Sequence, residues 1–147
     1  MEVRPSAMNS AIELHDSECL QVEVGDDGTG FVLLDAYVHR SEGRPGWEAG
    51  EGGIQRVRLT FQNVAINGLV GDLPAYIYEG SLATGDAVLD NMIELPASYP
   101  EESIFKIMLS EDARVLTVSG TNVNLLIEGE FRYVERFSPG SPRSAQT

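Results

Sequence analysis

Through most of the chain, apolar and polar residues alternate with a period of two rather than the 3.6 of a helix. Leu20, Val22 and Val24 interleave with Gln21 and Glu23, which predicts a strand with one inward face. Cys19 falls out of that phase and reads as a semi-buried, inert thiol. The run Gly25-Asp26-Asp27-Gly28-Thr29-Gly30 reads as a hairpin turn, because Asp-Gly tolerates positive φ. Phe31 to His39 is the next strand. It puts Val32, Leu34, Ala36 and Val38 on one face, and Leu33, Asp35, Tyr37 and His39 on the other.

Ile54 to Ile66 alternates again, with Val57, Leu59 and Phe61 against Arg56, Arg58, Thr60 and Gln62. Val64 and Ile66 then occupy the opposite register. A β-bulge near Gln62-Asn63 would restore the inward direction, since one inserted residue flips every later side chain. The two strands pair as a hairpin. Setting Ala36 against Val57 brings Leu34 to Leu59, Val32 to Phe61, Asp35 to Arg58 and Tyr37 to Arg56. A slip of two residues is the alternative.

Tyr76 to Leu82 and Ala87 to Leu95 flank a tight turn at residues 83–86. Ile104 to Leu109 and Arg114 to Ser119 surround residues 110–113. Gly120-Thr121 is expected to turn the chain into Val123, Leu125 and Ile127, and Phe131, Tyr133 and Phe137 form a last strand. No stretch carries a capped helical stripe, and a short helical turn near Tyr99–Ser103 or Ser110–Ala113 is the most helix expected. The chain therefore reads as all-β: an antiparallel β-sandwich or partly open barrel of about nine strands in meander-like hairpins. Residues 1–10 and the tail 138–147 lack apolar anchors and are expected to be disordered, which leaves 11–137 as a single all-β domain.

Ten Lys and Arg against 23 Asp and Glu leave a net charge of −13. That balance argues against nucleic acid and against an anionic membrane surface, and favours a basic partner if there is one. One cysteine and two histidines allow neither an internal disulfide nor a Cys/His zinc pattern. The first ten residues lack the apolar stretch of a signal peptide, and Phe31-Val32-Leu33-Leu34 is far short of a membrane span. A cytoplasmic protein without a cofactor is expected.

The most unusual segment is Arg40 to Gly53, which reads as a 14-residue hairpin loop with five glycines and the single tryptophan, Trp47. Long loops often carry binding, and Trp and Arg are favoured interface anchors. Arg40, Arg44, Trp47 and Glu48 are therefore the candidate interaction loop, against a mobile loop with Trp47 folded back onto the sheet. A metal site of His15, His39 and either Asp16 or Glu18 is the weaker candidate. Its ligand spacing is unspecific, and in extended backbone His15 and Asp16 diverge. Asp26 and Asp27 lack the distal glutamate of a calcium loop, so turn chemistry accounts for them. Asp90, Glu94, Glu128, Glu130 and Glu135 read as a solvated face.

Glu13-Leu14-His15-Asp16-Ser17, followed by an alternating strand and a turn, resembles the opening of small bacterial β-rich families. Some of these are immunity-type proteins that neutralise toxins of neighbouring cells. With RSEGRPG (40–46) and GEFRYVERF (129–137), the whole chain also resembles an uncharacterised bacterial β-sandwich family. The immunity resemblance implies a stoichiometric inhibitor without catalytic residues, whose acidic surface would suit a basic nuclease. The leading expectation is a non-catalytic binding module that engages another protein. Two alternatives remain: a small hydrolase or metal-assisted enzyme using His15, His39 and carboxylates, and self-assembly into a homo-oligomer through an open sheet edge.

Overall fold

The computed structural model describes residues 9–68, 72–109 and 114–137. Residues 1–8, the connection 110–113 and the tail 138–147, for which disorder or a helical turn is expected, lie outside the described residues. The strands are β1 (Asn9–Val24), β2 (Gly30–Ser41), β3 (Gly50–Gly68), β4 (Ala75–Thr84), β5 (Ala87–Asp90), β6 (Met92–Leu95), β7 (Ala97–Tyr99), β8 (Ser103–Leu109), β9 (Arg114–Ile127) and β10 (Arg132–Phe137). No helix occurs among the described residues, so the chain is all-β, as its alternation predicts. β1 already begins at Asn9, inside the segment read as loose.

All pairings are antiparallel. β1, β2 and β3 form a meander, β1 pairs with β4, β4 with β8, β8 with β9, and β9 with β3. These contacts close a ring of six strands. The other four lie outside it: β5 on β4, β6 on β1, β7 on β9 and β10 on β3. The interior is filled by Ile12, Leu14, Leu34, Leu59, Phe61, Phe105, Ile107 and Leu116 among others, each at most 1% exposed. Burial of this apolar layer is the main favourable term, at roughly 25 cal/mol per Å² removed from water.

Strand phase changes where the ring bends. In β3, Phe61 points inward, Asn63 takes φ 52°, and Val64 and Ile66 then face the core, which is the bulge that the sequence phase requires. β9 answers it across the pair. Asn122 takes φ 49°, its amide donates to Gln62 Oε1 at 2.8 Å, and the Asn63 amide donates to Thr121 Oγ1 at 3.0 Å. Gly120-Thr121 is therefore a bend inside one continuous strand, not the turn expected. Likewise Ala87 to Leu95 is two strands. Asn91, with φ 65°, sends β6 away from β4 and onto β1.

β1 departs furthest from its reading. Cys19, not Leu20, is wholly buried, and a register shift between Cys19 and Gln21 leaves Leu20 at the irregularity. Val24 is half exposed at the strand end. The β2–β3 hairpin takes the register slipped by two from the first pairing considered: Leu34 faces Val57, Val32 faces Leu59 and Asp35 faces Arg56. Asp35 accordingly accepts from Arg56 Nε at 3.1 Å, with Arg132 also near at 3.7 Å. In this register the pairing continues to Ser41 and Gly50, well into what alternation alone reads as loop.

Leu59→Ala should cost ~2–5 kcal/mol through the cavity it leaves, measured by urea unfolding. Burial pushes the Cys19 thiol from 9.0 up to about 12. The folded chain therefore keeps a proton that the unfolded chain loses, and this contribution to stability disappears as pH rises from 9.0 to about 12. Urea midpoints across that range should fall in the native chain and fall less in Cys19→Ala.

Candidate functional site

The site grows from an interruption in β1. Pairing with β2 stops at Glu13 opposite Tyr37 and resumes at Glu18 opposite Asp35. The unpaired backbone finds other partners, as buried polar groups must. Leu14 N–H donates to Asn91 O and His15 N–H to Asn91 Oδ1, both at 2.7 Å. Ser17 Oγ donates to Glu13 O at 2.6 Å and accepts from Tyr37 N–H at 2.9 Å. Asp16 takes φ 80°, a left-handed conformation uncommon outside glycine. That reversal brings Asp16 back toward its neighbour, so His15 and Asp16 do not diverge as an extended strand requires.

Glu13 is 2% exposed and lies between both histidines. Its Oε1 is 2.7 Å from His39 Nε2, and its Oε2 is 3.7 Å from His15 Nδ1. Asp16 Oδ1 is 3.5 Å from the same His15 nitrogen and accepts from Tyr76 Oη at 2.5 Å. Burial, then this hydrogen bond to a carboxylate, pushes the Tyr76 hydroxyl up to about 12, so it remains a donor. Tyr78 presents a second ring edge-on to His15 at 6.4 Å. His15 is about half exposed, whereas His39 is buried.

His39 is enclosed by aromatics. Its ring stacks on Phe137 at 5.2 Å and meets Tyr37 edge-on at 5.1 Å, and Tyr37 Oη donates to Glu135. His39 Nδ1 is buried with no hydrogen-bond partner among the described residues. Gly52 makes this packing possible, because a Cβ there would lie 2.2 Å from Tyr37 Oη and 2.9 Å from Phe137. The three stretches distinctive in the sequence, Glu13–Ser17, Arg40–Gly46 and Gly129–Phe137, thus adjoin one another around His39.

Of the expected metal set, the structure brings His15 and Asp16 together. It sets His39 behind Glu13 and leaves Glu18 as an exposed strand residue. Glu13 is the member of the cluster that sequence reasoning missed, although it shares a strand face with His15 by simple period two. Tyr76 and Asn91 gave no local signal, since both arrive from other strands.

The glycine-rich segment is shorter than expected, because β2 and β3 pair up to Ser41–Gly50 and leave only residues 42–49 as loop. Arg40 is not at the tip. It pairs with Glu51 across the strands, its guanidinium 3.8 Å from the Phe131 ring centre. Arg44, Trp47 and Glu48 do form the tip. Arg44 N–H donates to Glu48 Oε2 at 2.8 Å, Trp47 and Glu48 N–H donate to Arg44 O at 3.0 Å, and the Arg44 guanidinium lies 4.8 Å from the Trp47 ring centre. Ser41 Oγ donates to Ala49 O at 2.7 Å, and Asn9 Nδ2 ties Gly43 O from β1 at 2.8 Å. Trp47 remains 48% exposed rather than folded onto the sheet.

Two further carboxylates are held by local chemistry. Asp27 Oδ1 accepts from Thr29 Oγ1 at 2.7 Å and Thr29 N–H at 3.1 Å, which holds its carboxyl below the ordinary value and closes the turn. Arg58 bonds Glu128 and lowers that carboxyl likewise. No protein-family model, curated protein or solved structure matches the chain.

Glu13→Ala should cost ~1–3 kcal/mol by leaving buried polar groups unpaired. A double-mutant cycle with His39→Ala, read by denaturant unfolding, should show coupling above ~0.5 kcal/mol.

Proposed function

We propose that the chain is a non-catalytic module that binds another protein through loop 42–49, with a basic partner favoured by the net charge of −13. The observation that carries this reading is the state of Trp47. It is half exposed, gripped by Arg44, and mounted on a loop whose backbone is fixed by Ser41, Glu48 and Asn9. A tip ordered before binding loses less entropy on association, and Trp beside Arg is the combination most often found at interface hot spots. Grooves flank the tip on both sides. One is bounded by Glu42, Trp47, Glu48 and Arg136, the other by Asn9, Arg44, Pro45 and Glu94.

A stoichiometric inhibitor of the immunity type fits this arrangement, since it needs a rigid recognition surface and no reacting groups. A hydrolase needs its reacting groups in a concavity, and the two grooves at the tip contain neither Glu13 nor His15. The paired ring, joined by β3 on β9, favours a barrel over a sandwich as the scaffold. A cytoplasmic location accords with the single buried cysteine.

A photoreactive phenylalanine in place of the exposed Glu42, beside an intact Trp47, should give one discrete adduct in cells of the source organism, and adding Trp47→Ala should abolish it. The adduct should weaken when Arg44→Ala is added, and at high salt in lysate. Absence of an adduct at 42, with one formed instead from position 133 on β10, would transfer the binding surface to the sheet edge. Light scattering then separates a partner from a second copy of the chain.

A further inference from the structure

The His15 side chain stands between two carboxylate oxygens at distances that a hydrogen bond does not explain. Glu13 Oε2 at 3.7 Å and Asp16 Oδ1 at 3.5 Å both exceed the roughly 2.7–3.2 Å of an N–H···O bond. They lie in the range of ion pairs, and equally in that of neighbouring ligands on one metal ion. Bonds of about 2.0–2.2 Å to nitrogen and oxygen at tetrahedral angles separate neighbouring ligand atoms by about 3.3–3.6 Å. One donor atom from each of Glu13, His15 and Asp16 lies within 4.8 Å of the other two. We propose that Glu13 Oε2, His15 Nδ1 and Asp16 Oδ1 bind a divalent transition-metal ion of the zinc class, with solvent completing the coordination.

The donor set selects the class of ion. One imidazole and two carboxylates suit zinc and its neighbours, whereas calcium takes roughly six to eight oxygens. The surroundings supply the outer hydrogen bonds that orient metal ligands. His39 Nε2 holds the far oxygen of Glu13 at 2.7 Å, and Tyr76 Oη holds Asp16 at 2.5 Å. Asn91 fixes the His15 backbone at 2.7 Å. These partners come from β2, from β4 and from the β5–β6 junction, so the folded barrel aims the ligands. Glu13 is buried while His15 is about half exposed, which puts the ion at the surface boundary with a side open to water, the arrangement of an exchangeable site.

The test is calorimetric titration of the full chain, freed of any affinity tag, with zinc chloride, alongside cobalt(II) absorption. The expected result is a single equivalent of zinc and the visible bands of four-coordinate cobalt. His15→Ala removes an exposed ring without disturbing the core, which circular dichroism verifies, and should weaken binding at least ~10-fold. Tyr76→Phe keeps all three ligands and should weaken it ~10–100-fold. Wild-type protein that takes up no zinc overturns the proposal. So does uptake equal in wild type and His15→Ala, which would mark scattered surface carboxylates.

Discussion

β3 serves two partners in succession on the edge away from β2. Its first residues, Gly50 to Ile54, carry β10, and from Val57 onward it pairs with β9. That handover closes the ring, because β9 returns through β8 and β4 to β1. Without it β2 and β3 would end in an open edge and the apolar layer would be exposed on one side. The bulges at Asn63 and Asn122, bonded across the pair, let both strands bend while keeping apolar side chains inward.

The same constraint creates the histidine cluster. β1 must pair with β6 over Ser10–Glu13 and with β4 at Glu18–Cys19. Between these two partners the ladder of β1 with β2 is also interrupted, at Leu14–Ser17. A short polar residue, Ser17, substitutes for the missing ladder bonds on one side, and Asn91 does so on the other. Asp16 absorbs the conformational strain. Glu13 and His15 are thereby presented on one side of a strand that would otherwise have kept pairing.

Much of this was legible in period-two alternation. Val32, Leu34, Ala36 and Val38 are all wholly buried, and the phase change after Phe61 announced the bulge. The hairpin register was not legible, because Val57 and Leu59 serve equally well opposite Ala36 and Leu34. The choice depends on how far pairing extends toward Ser41, which glycines 50, 52 and 53 conceal by reading as loop. In the cluster, the neighbours His15 and Asp16 could be seen, but not their convergence, since nothing local signals a left-handed aspartate. Trp47 was visible as an unusual residue, and its exposure depends on Arg44 and Glu48 three residues before and one after it.

Gly52 and Gly53 are central residues of a sheet, paired with His39 and Val38 on one side and with β10 on the other. Tyr37, Phe137 and Phe131 lie where their side chains would have been. Aromatic rings thus roof the barest stretch of main chain. Its amides, which composition would rank among the fastest to exchange with deuterated solvent, belong with the slowest.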